Sequence, residues 1–238
     1  MMRAALVTGA SSGIGAASAV RLVGAGWRVF AGVRRAGDAP PGTQEVLLDV
    51  TNEDQVRAAA ERIEELHGLV NNAGIALAMP LEFIPLQELR RQFEVNVVGQ
   101  VAVTQAFLSH LRRTRGRIVF IGSIAGQSAL PFLGPYAASK HALEAVTDTL
   151  RLELRPFDVD VSLVQPGTIR TPIWTKSAEV ADELANGAGA DFAGLYGERI
   201  AAFRRVALKR GAKGASAEEV VQQLNQAGFD HGPITHLL

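Results

Sequence analysis

The chain has 238 residues, a formal net charge of zero and no cysteine, which excludes disulfides, thiolate catalysis and cysteine-ligated zinc. A pI of about 7.0 gives no indication of a nucleic-acid or membrane partner. The length suits one domain, and a hydrophobic share of 47% is enough to fill its core.

Short apolar runs alternate with amphipathic stretches through the first two thirds of the chain. Predicted strands cover residues 3–8, 28–33, 45–49, 69–71, 117–122 and 160–164. Predicted helices cover residues 15–23, 51–66, 86–112 and 135–154; we expect Thr51 to cap the second and the third to bend near Gly99. This order predicts an α/β fold of three layers, a doubly wound, Rossmann-like parallel sheet in a single domain.

The last third of the chain has weaker patterns. Residues 171–215 are rich in alanine and glycine and predict a mobile flap over the substrate, with helical pieces around 178–185 and 198–208. Ser216 and the acidic residues after it predict a last helix, and residues 233–238 a short strand. We expect one domain over 1–238, in which 1–170 form the cofactor-binding and catalytic core and 171–215 the flap.

Location and metal content follow from what the sequence lacks. No apolar run reaches the roughly 20 residues that span a bilayer. The first strand pattern begins almost at once, which leaves no room for a signal peptide, so we expect a cytoplasmic protein. The five histidines are scattered without an acidic ligand set, so we expect no metal.

The turn after the first predicted strand is rich in glycine and reads Thr8-Gly9-Ala10-Ser11-Ser12-Gly13-Ile14-Gly15. Glycine allows a tight turn and close backbone approach, and the helix N-terminus that follows attracts a pyrophosphate. Turns without a ligand also use glycine, but the position between the first strand and the first helix favours a dinucleotide. No Lys-Ser or Lys-Thr pair follows, which argues against a P-loop.

The ends of the second and third strands bear on the choice of cofactor. Sites for NAD usually carry a carboxylate after the second strand, whereas this chain has Arg34 and Arg35 there. A guanidinium suits the 2′-phosphate of NADP, which we favour over a solvated basic turn. Asp49 could cap the next helix or accept a hydrogen bond from the adenine amino group.

Four further residues form a candidate catalytic set. Tyr136 and Lys140 are four residues apart and so share one face of a helix. Ser123 follows a predicted strand, and Asn96 lies inside a predicted helix, where an amide has low intrinsic preference. Each residue alone has an ordinary explanation as a cap, a packing residue or a surface residue; the combination favours chemistry.

These motifs together resemble the short-chain dehydrogenase/reductase family. The matching segments are TGASSGIG from Thr8, NNAG from Asn71, the serine Ser123, YAASK from Tyr136 and PGTIRT from Pro166. They span roughly residues 3–171 in the family's order. The stretch from Phe30 is similar to the steroid and retinol dehydrogenases of that family.

The resemblance implies a role for each residue of the catalytic set. Tyr136 would exchange a proton with the substrate oxygen, Ser123 would polarise that oxygen, and Lys140 would lower the tyrosine pKa and bind the nicotinamide ribose. Asn96 would hold a water that relays protons from Lys140, and the pro-S hydride would be transferred. The expected cofactor contacts are Gly9, Ser11, Ser12, Gly13, Ile14, Gly15, Arg34, Asp49, Val50, Asn72, Ala73, Gly74, Tyr136, Lys140, Pro166, Gly167, Ile169 and Thr171.

We therefore predict an NADP(H)-preferring oxidoreductase that interconverts a secondary alcohol and a ketone or aldehyde, with NAD(H) as the possible other cofactor. Apolar flap residues point to a moderately apolar substrate: Ile173, Trp174, Leu184, Phe192, Leu195 and Phe203. The resemblance implies a homodimer or homotetramer built on the helices that carry Asn96 and Tyr136. The alternatives are an NAD-dependent alcohol or steroid-type dehydrogenase and a non-catalytic NADP(H)-binding regulator. A serine hydrolase would need a G-x-S-x-G elbow, which Ser123 lacks.

The sequence departs from the family's pattern in two places outside the proposed catalytic residues. The segment between Asp49 and the NNAG motif is short, so we expect a trimmed second helix. The C-terminus also lacks the family's frequent acidic and glycine-containing ending, which bears on the last strand and on any tetramer contact built on it.

Overall fold

A single parallel sheet forms the centre of the computed structural model, which describes residues 2–224 and 236–237. The strands are β1 (Ala4–Thr8), β2 (Arg28–Val33), β3 (Gln44–Leu47), β4 (Gly68–Asn71), β5 (Arg117–Ile121), β6 (Asp160–Val164) and β7 (His236–Leu237). They lie in the order β3-β2-β1-β4-β5-β6-β7, and every neighbouring pair is parallel. The order reverses between β1 and β4, where such sheets open a crevice for ligands.

Eight helices cover the sheet in the described part of the chain. They are α1 (Gly13–Gly24), α2 (Glu53–Arg62), α3 (Leu86–Phe93), α4 (Gly99–Thr114), α5 (Gly134–Leu154), α6 (Ile173–Gly187), α7 (Gly189–Lys213) and α8 (Ala217–Leu224). A π-helical turn, Glu94–Val98, joins α3 to α4, and 3₁₀ turns cover Ile124–Gly126 and Arg155–Phe157. None of these helices has the length and apolar character that a membrane crossing requires.

Alternate side chains of the strands enter two core clusters, one on each face of the sheet. On β1, Ala4 and Leu6 pack with the α2, α4 and α5 side of the core. Ala5 and Val7 point the other way and pack with residues of α1 and α8. Because both faces are buried, the strand is apolar throughout, as a parallel sheet requires. The predicted three-layer, doubly wound fold is confirmed.

The second helix differs from its prediction at both ends. Asn52 caps α2 by accepting a hydrogen bond from the Gln55 amide at 3.0 Å, so the prediction of Thr51 as the cap is wrong. Thr51 instead donates through its hydroxyl to Asp49 at 2.8 Å. The helix ends at Arg62, and Ile63 follows in an extended conformation that buries its side chain, which gives the trimmed helix expected for this segment.

The π-helical turn interrupts the third predicted helix immediately before Gly99, the residue near which a bend was predicted. Single π-helical turns inside longer helices are frequent at functional sites. Gly99 has another purpose: a Cβ atom there would lie 2.8 Å from the Val50 carbonyl oxygen, so only glycine allows α4 to pack this closely. The helix continues to Thr114 and ends at Arg115, which has a left-handed φ of 51°.

Residues 171–215 contain far more helix than the two short pieces predicted. The long helices α6 and α7 fill most of this segment, because alanine is a strong helix former even where the apolar spacing is weak. Phe192 and Ile200 of α7 pack against Met79 in a third buried cluster. The predicted start of the last helix is confirmed, since Ser216 and Glu219 hydrogen-bond each other's backbone amides in a capping box.

The predicted last strand is described only at His236–Leu237, where β7 pairs with β6. The rest of 233–238 lies outside the described residues.

Candidate active site

A cavity of about 770 Å³ opens at the carboxyl ends of the central strands. Its volume is in the range of small-molecule and cofactor sites. The predicted residues that line it are Gly9, Ser11, Ser12, Gly13, Ile14, Arg34, Asp49, Val50, Asn72, Ala73, Gly74, Ser123, Tyr136, Lys140, Pro166, Gly167, Ile169 and Thr171. Two other predicted residues, Gly15 and Asn96, do not line the cavity and act behind its wall.

The glycine turn forms one end of this cavity. Gly9 and Gly13 have positive φ angles of 63° and 56°, which glycine adopts without strain. A Cβ atom on Gly15 would lie 2.4 Å from both the Gly9 carbonyl oxygen and the Asn72 amide nitrogen. No side chain caps α1 and no acidic residue lies in its first turn, so its backbone N–H groups face the cavity and fit a pyrophosphate.

Asn72 joins the ends of β1 and β4 as well as lining the cavity. Its side-chain amide donates to the carbonyl oxygens of Thr8 at 2.9 Å and Gly9 at 3.2 Å. The Thr8 hydroxyl in turn accepts from the backbone amides of Asn72 and Ala73, each at 3.0 Å. Asn72 therefore holds the glycine turn in position, a role that was not predicted from the sequence.

Two charged residues lie where the cofactor's adenosine end was expected. The Arg34 side chain is exposed on the cavity wall and has no hydrogen bond or ion pair with any residue that the structure describes. Its neighbour Arg35 is paired with Asp38 at 3.0 Å. One carboxylate oxygen of Asp49 accepts hydrogen bonds from both the amide and the hydroxyl of Thr51, and these bonds shape the turn before α2.

Tyr136, Ser123 and Lys140 meet at the inner end of the cavity. The Ser123 hydroxyl hydrogen-bonds the Tyr136 phenol. The Lys140 Nζ lies 5.8 Å from the centroid of the Tyr136 ring and donates to the Ile121 carbonyl oxygen at 2.6 Å. All three side chains are buried, on α5 and on the turn that follows β5. The structure thus brings together three of the four predicted catalytic residues.

Burial controls the protonation of the tyrosine and the lysine. Desolvation raises the pKa of Tyr136 above its usual value, and the Ser123 hydrogen bond opposes this rise only in part. Desolvation also lowers the pKa of Lys140 to about 8. The raised pKa keeps the Tyr136 phenol protonated at neutral pH.

Asn96, the fourth predicted catalytic residue, lies in the π-helical turn and is fully buried. Its side-chain oxygen accepts from the Ile75 amide at 2.9 Å, and its side-chain nitrogen donates to the Ile75 carbonyl oxygen at 2.9 Å. The same nitrogen donates to the Ser139 hydroxyl at 3.0 Å, which donates to the Tyr136 carbonyl oxygen at 2.7 Å. Asn96 thus connects the loop after β4 to the backbone of the tyrosine.

Two more buried amides support the same loop and were missed in the sequence. Gln92 donates to the Ile75 carbonyl oxygen at 2.7 Å, and Gln100 donates to the Ala73 carbonyl oxygen at 2.8 Å. Gln92, Asn96 and Gln100 recur every four residues and so share one face of the helical segment. That repeat of amides was the available signal.

The apolar flap residues divide into two groups. Ile173 and Trp174 line the cavity, whereas Leu184 and Phe192 pack in the third buried cluster. Phe203 packs edge-on against Phe132 at 5.5 Å, and Leu195 is largely exposed. Leu184, Phe192 and Phe203 therefore hold the flap helices in place without lining the cavity, and Leu195 does neither.

The short chain dehydrogenase family model matches residues 3–182. The chain belongs to this family. Because the match covers the glycine turn, the Tyr136–Lys140 helix and strands β1 to β6, it confirms the predicted family and fold and establishes an oxidoreductase. Enzymes of the short chain dehydrogenase family bind NAD(P)(H), which the glycine turn and the uncapped α1 N-terminus accommodate.

Two relatives of this short chain dehydrogenase are named for reductase activity. The "NADPH-dependent 3-dehydrocapnine reductase" of Ornithobacterium rhinotracheale is 42% identical over 74% of this chain and 69% of its own length. The "3-amino-tetrahydro-pyrrolizinone reductase" of Xenorhabdus hominickii is 43% identical over 75% of this chain and 66% of its own length. The chain thus matches about two thirds of these relatives.

A solved relative shares the fold over nearly the whole chain. A short chain dehydrogenase/reductase from Burkholderia phymatum, in complex with NAD, superimposes with a TM-score of 0.81 and 28% identity. The match covers 95% of this chain and 85% of that chain, so the two share the fold beyond the nucleotide-binding strands.

Proposed function

We propose that this short chain dehydrogenase is an NADP(H)-preferring oxidoreductase that interconverts a secondary alcohol and a ketone or aldehyde, with Tyr136 as the acid and base. The observation that carries the proposal is the buried group of Ser123, Tyr136 and Lys140 at the inner end of the cavity. A regulator that only bound a dinucleotide would not need a phenol, a hydroxyl and an ammonium buried together there.

The residues of the chain act on the substrate oxygen, while a bound nicotinamide supplies or accepts the hydride. In reduction, the Ser123 hydroxyl polarises the carbonyl and Tyr136 donates its proton to the oxygen as negative charge develops. The Lys140 ammonium stabilises the phenolate that remains. Because burial raises the pKa of Tyr136, the phenol is protonated at neutral pH, which suits an acid in the reducing direction.

Lys140 would also bind the nicotinamide ribose, and Asn96 would hold the water that returns protons to it, as in similar enzymes. The position of Lys140 on the cavity wall supports the first role. The Asn96 side chain already uses both of its polar atoms on Ile75 and Ser139, so any water would have to bind at a backbone group of the π-helical turn.

Arg34 supports the preference for NADP(H). An exposed cation without a partner in the described chain, at the end of β2, is placed where a 2′-phosphate would be neutralised. The name of the Ornithobacterium relative specifies NADPH, whereas the Burkholderia structure is a complex with NAD. The family therefore uses both NADP(H) and NAD(H). We expect the residue after β2, which is Arg34 here, to determine which of the two cofactors binds more tightly.

Titration with NADPH and with NADH, followed by nicotinamide fluorescence, tests this proposal. We expect tighter binding of NADPH, and Arg34→Ala should raise its Kd about tenfold or more, since a hydrogen bond to a charged group is lost. The Kd of NADH should hardly change. Arg35→Ala is the matched control because Arg35 is paired with Asp38 and should leave both Kd values unchanged. Tighter binding of NADH would overturn the Arg34 assignment.

The proposal also covers the substrate-binding flap, the substrate class and the oligomeric state. We propose that residues 171–215 form the substrate-binding flap on a core of residues 1–170. We also propose that the substrate is moderately apolar, because the flap lines the cavity with the apolar side chains of Ile173, Trp174 and Val180. We also propose a homodimer or homotetramer through the helices of Asn96 and Tyr136, which expose apolar side chains such as Val98 and Leu152. The cytoplasmic location stays a prediction.

A further inference from the structure

Helix α6 presents two unlike side chains to the cavity from one face. Trp174 and Ser177 are three residues apart, so they lie one turn from each other on the same side of the helix. Both line the cavity that contains Tyr136. The Lys176 and Glu179 side chains on the same helix are exposed and of opposite charge, so α6 adds no net charge to the cavity.

Trp174 forms a wall beside the catalytic tyrosine. Its ring centroid lies 6.0 Å from that of Tyr136, with an angle of 68° between the two planes, so the rings meet edge to face. The indole is therefore placed to contact a substrate whose carbonyl reaches the Tyr136 hydroxyl. A flat apolar group stacks on such a surface better than a bulky saturated one.

Ser177 has a polar group without a partner. Its side chain is 3% exposed, and its hydroxyl makes no hydrogen bond with any described residue. Two other buried hydroxyls in helices donate to the carbonyl oxygen four residues earlier: Ser18 to Ile14 at 2.6 Å and Thr147 to Leu143 at 2.7 Å. A buried hydroxyl without a partner is unfavourable, and in a cavity wall a ligand can supply the partner.

We propose that Trp174 and Ser177 select the substrate: a neutral ketone whose flat group packs on the indole and whose second polar group hydrogen-bonds Ser177. This inference rests on the proposed function and narrows its substrate class. Trp174 and Ser177 thus determine specificity, while proton transfer belongs to Tyr136.

The test of Trp174 compares two ketones with NADPH: acetophenone, which is flat, and cyclohexyl methyl ketone, which is not. We expect the wild-type protein to have the higher kcat/KM for acetophenone, and Trp174→Ala to reduce that preference about fivefold, the value of an aromatic contact. Trp27→Phe is the control and should leave the preference unchanged. Trp27 is the only other tryptophan, and it is buried in the core cluster on the α1 face of the sheet.

The test of Ser177 compares 3′-hydroxyacetophenone with 3′-methylacetophenone, and 4′-hydroxyacetophenone with 4′-methylacetophenone. We expect the wild-type protein to prefer the hydroxyl compound at one ring position, and Ser177→Ala to reduce that preference about fivefold, as for one lost neutral hydrogen bond. Ser18→Ala, which removes a buried hydroxyl that bonds within α1, should leave the preference unchanged.

The Kd of NADPH separates these outcomes from a structural effect, and it should stay within about twofold of the wild-type value in every variant. Equal loss of kcat/KM for both members of a pair, a weaker Kd for NADPH, or no wild-type preference for flat or hydroxylated ketones would overturn the inference. A wild-type protein that binds NADPH and reduces none of these ketones would overturn the proposed substrate class, and this inference with it.

Discussion

The Lys140 side chain is buried, and one carbonyl oxygen, that of Ile121, accepts a hydrogen bond from its Nζ. Desolvation lowers the lysine pKa from 10.5 to about 8. The site thus maintains an ammonium at neutral pH against a desolvation cost. In the proposed function this charge stabilises the Tyr136 phenolate and binds the nicotinamide ribose, while its desolvation lowers the stability of the folded protein.

The lowered pKa of Lys140 predicts that the free energy of unfolding depends on pH. Below pH 8 both folded and unfolded chains hold the Lys140 proton; between about 8 and 10.5 only the unfolded chain does, so a rise in pH favours folding. The full effect amounts to about 3 kcal/mol, by the shift of the pKa. Tyr136 acts in the opposite direction above pH 10, because its pKa is raised.

Urea unfolding of wild-type protein and of Lys140→Met at pH 7.5 and pH 9.5 measures this. The free energy of unfolding of the wild type, relative to the variant, should rise by about 2 kcal/mol between the two pH values. Other titrating groups cancel in the difference. A difference that does not change with pH would mean that the ammonium is better solvated than its burial implies.

At the scale of elements, the start of α1 depends on glycine at one position and not at another. A Cβ on Gly15 would lie 2.4 Å from the Gly9 carbonyl oxygen, whereas a Cβ on Gly24 has no heavy atom within 4 Å. Both glycines belong to α1, so the two substitutions have the same chemistry and differ in what they touch.

We expect Gly15→Ala to cost about 1–3 kcal/mol of stability and to weaken NADPH binding at least about tenfold, because the turn must move to admit the methyl group. Gly24→Ala should be neutral or slightly stabilising, since alanine favours helix. Thermal unfolding and the NADPH titration measure both effects. If the two variants had the same stability and the same Kd for NADPH, the close packing of Gly15 against the turn would be contradicted.

Elements also show what the sequence can and cannot predict. Strands β1 to β6 were located within two residues at each end. All of them except the edge strand β3 are mainly apolar runs that the parallel sheet buries on both faces. The long helices α6 and α7 were underestimated, since their stability comes from alanine and from contacts with Met79 and Phe132, far away in sequence. The π-helical turn had no local signal.

The candidate site shows a similar division. Eighteen predicted residues line one cavity, because motif residues at strand ends converge on one edge of a parallel sheet. The supports behind them were not predicted: Gln92, Gln100 and Ser139 act through hydrogen bonds to backbone groups of other elements. Such partners depend on tertiary contacts, and only the spacing of four between the amides could have marked two of them.

At the scale of the whole molecule, the proposed oligomer concerns the outer surface of α4 and α5. Leu152 on α5 and Val98, next to α4, are 72% and 50% exposed, and the proposed contact would cover both. Sedimentation velocity of the purified protein should give at least twice the chain mass of 25.3 kDa. A species of the single-chain mass at micromolar concentration would contradict the oligomer and leave the chemistry of the cavity unaffected.

The central claim is that Tyr136 moves the proton that accompanies hydride transfer. The most direct measurement is single-turnover oxidation of bound NADPH by acetophenone in Tyr136→Phe, with Tyr196→Phe as the control. The chain has two tyrosines, and Tyr196 bonds Glu82 away from the cavity. We predict a fall in rate of at least about 100-fold for Tyr136→Phe, the contribution of a general acid, with the Kd of NADPH unchanged. Hydride transfer at the wild-type rate in that variant would contradict the account.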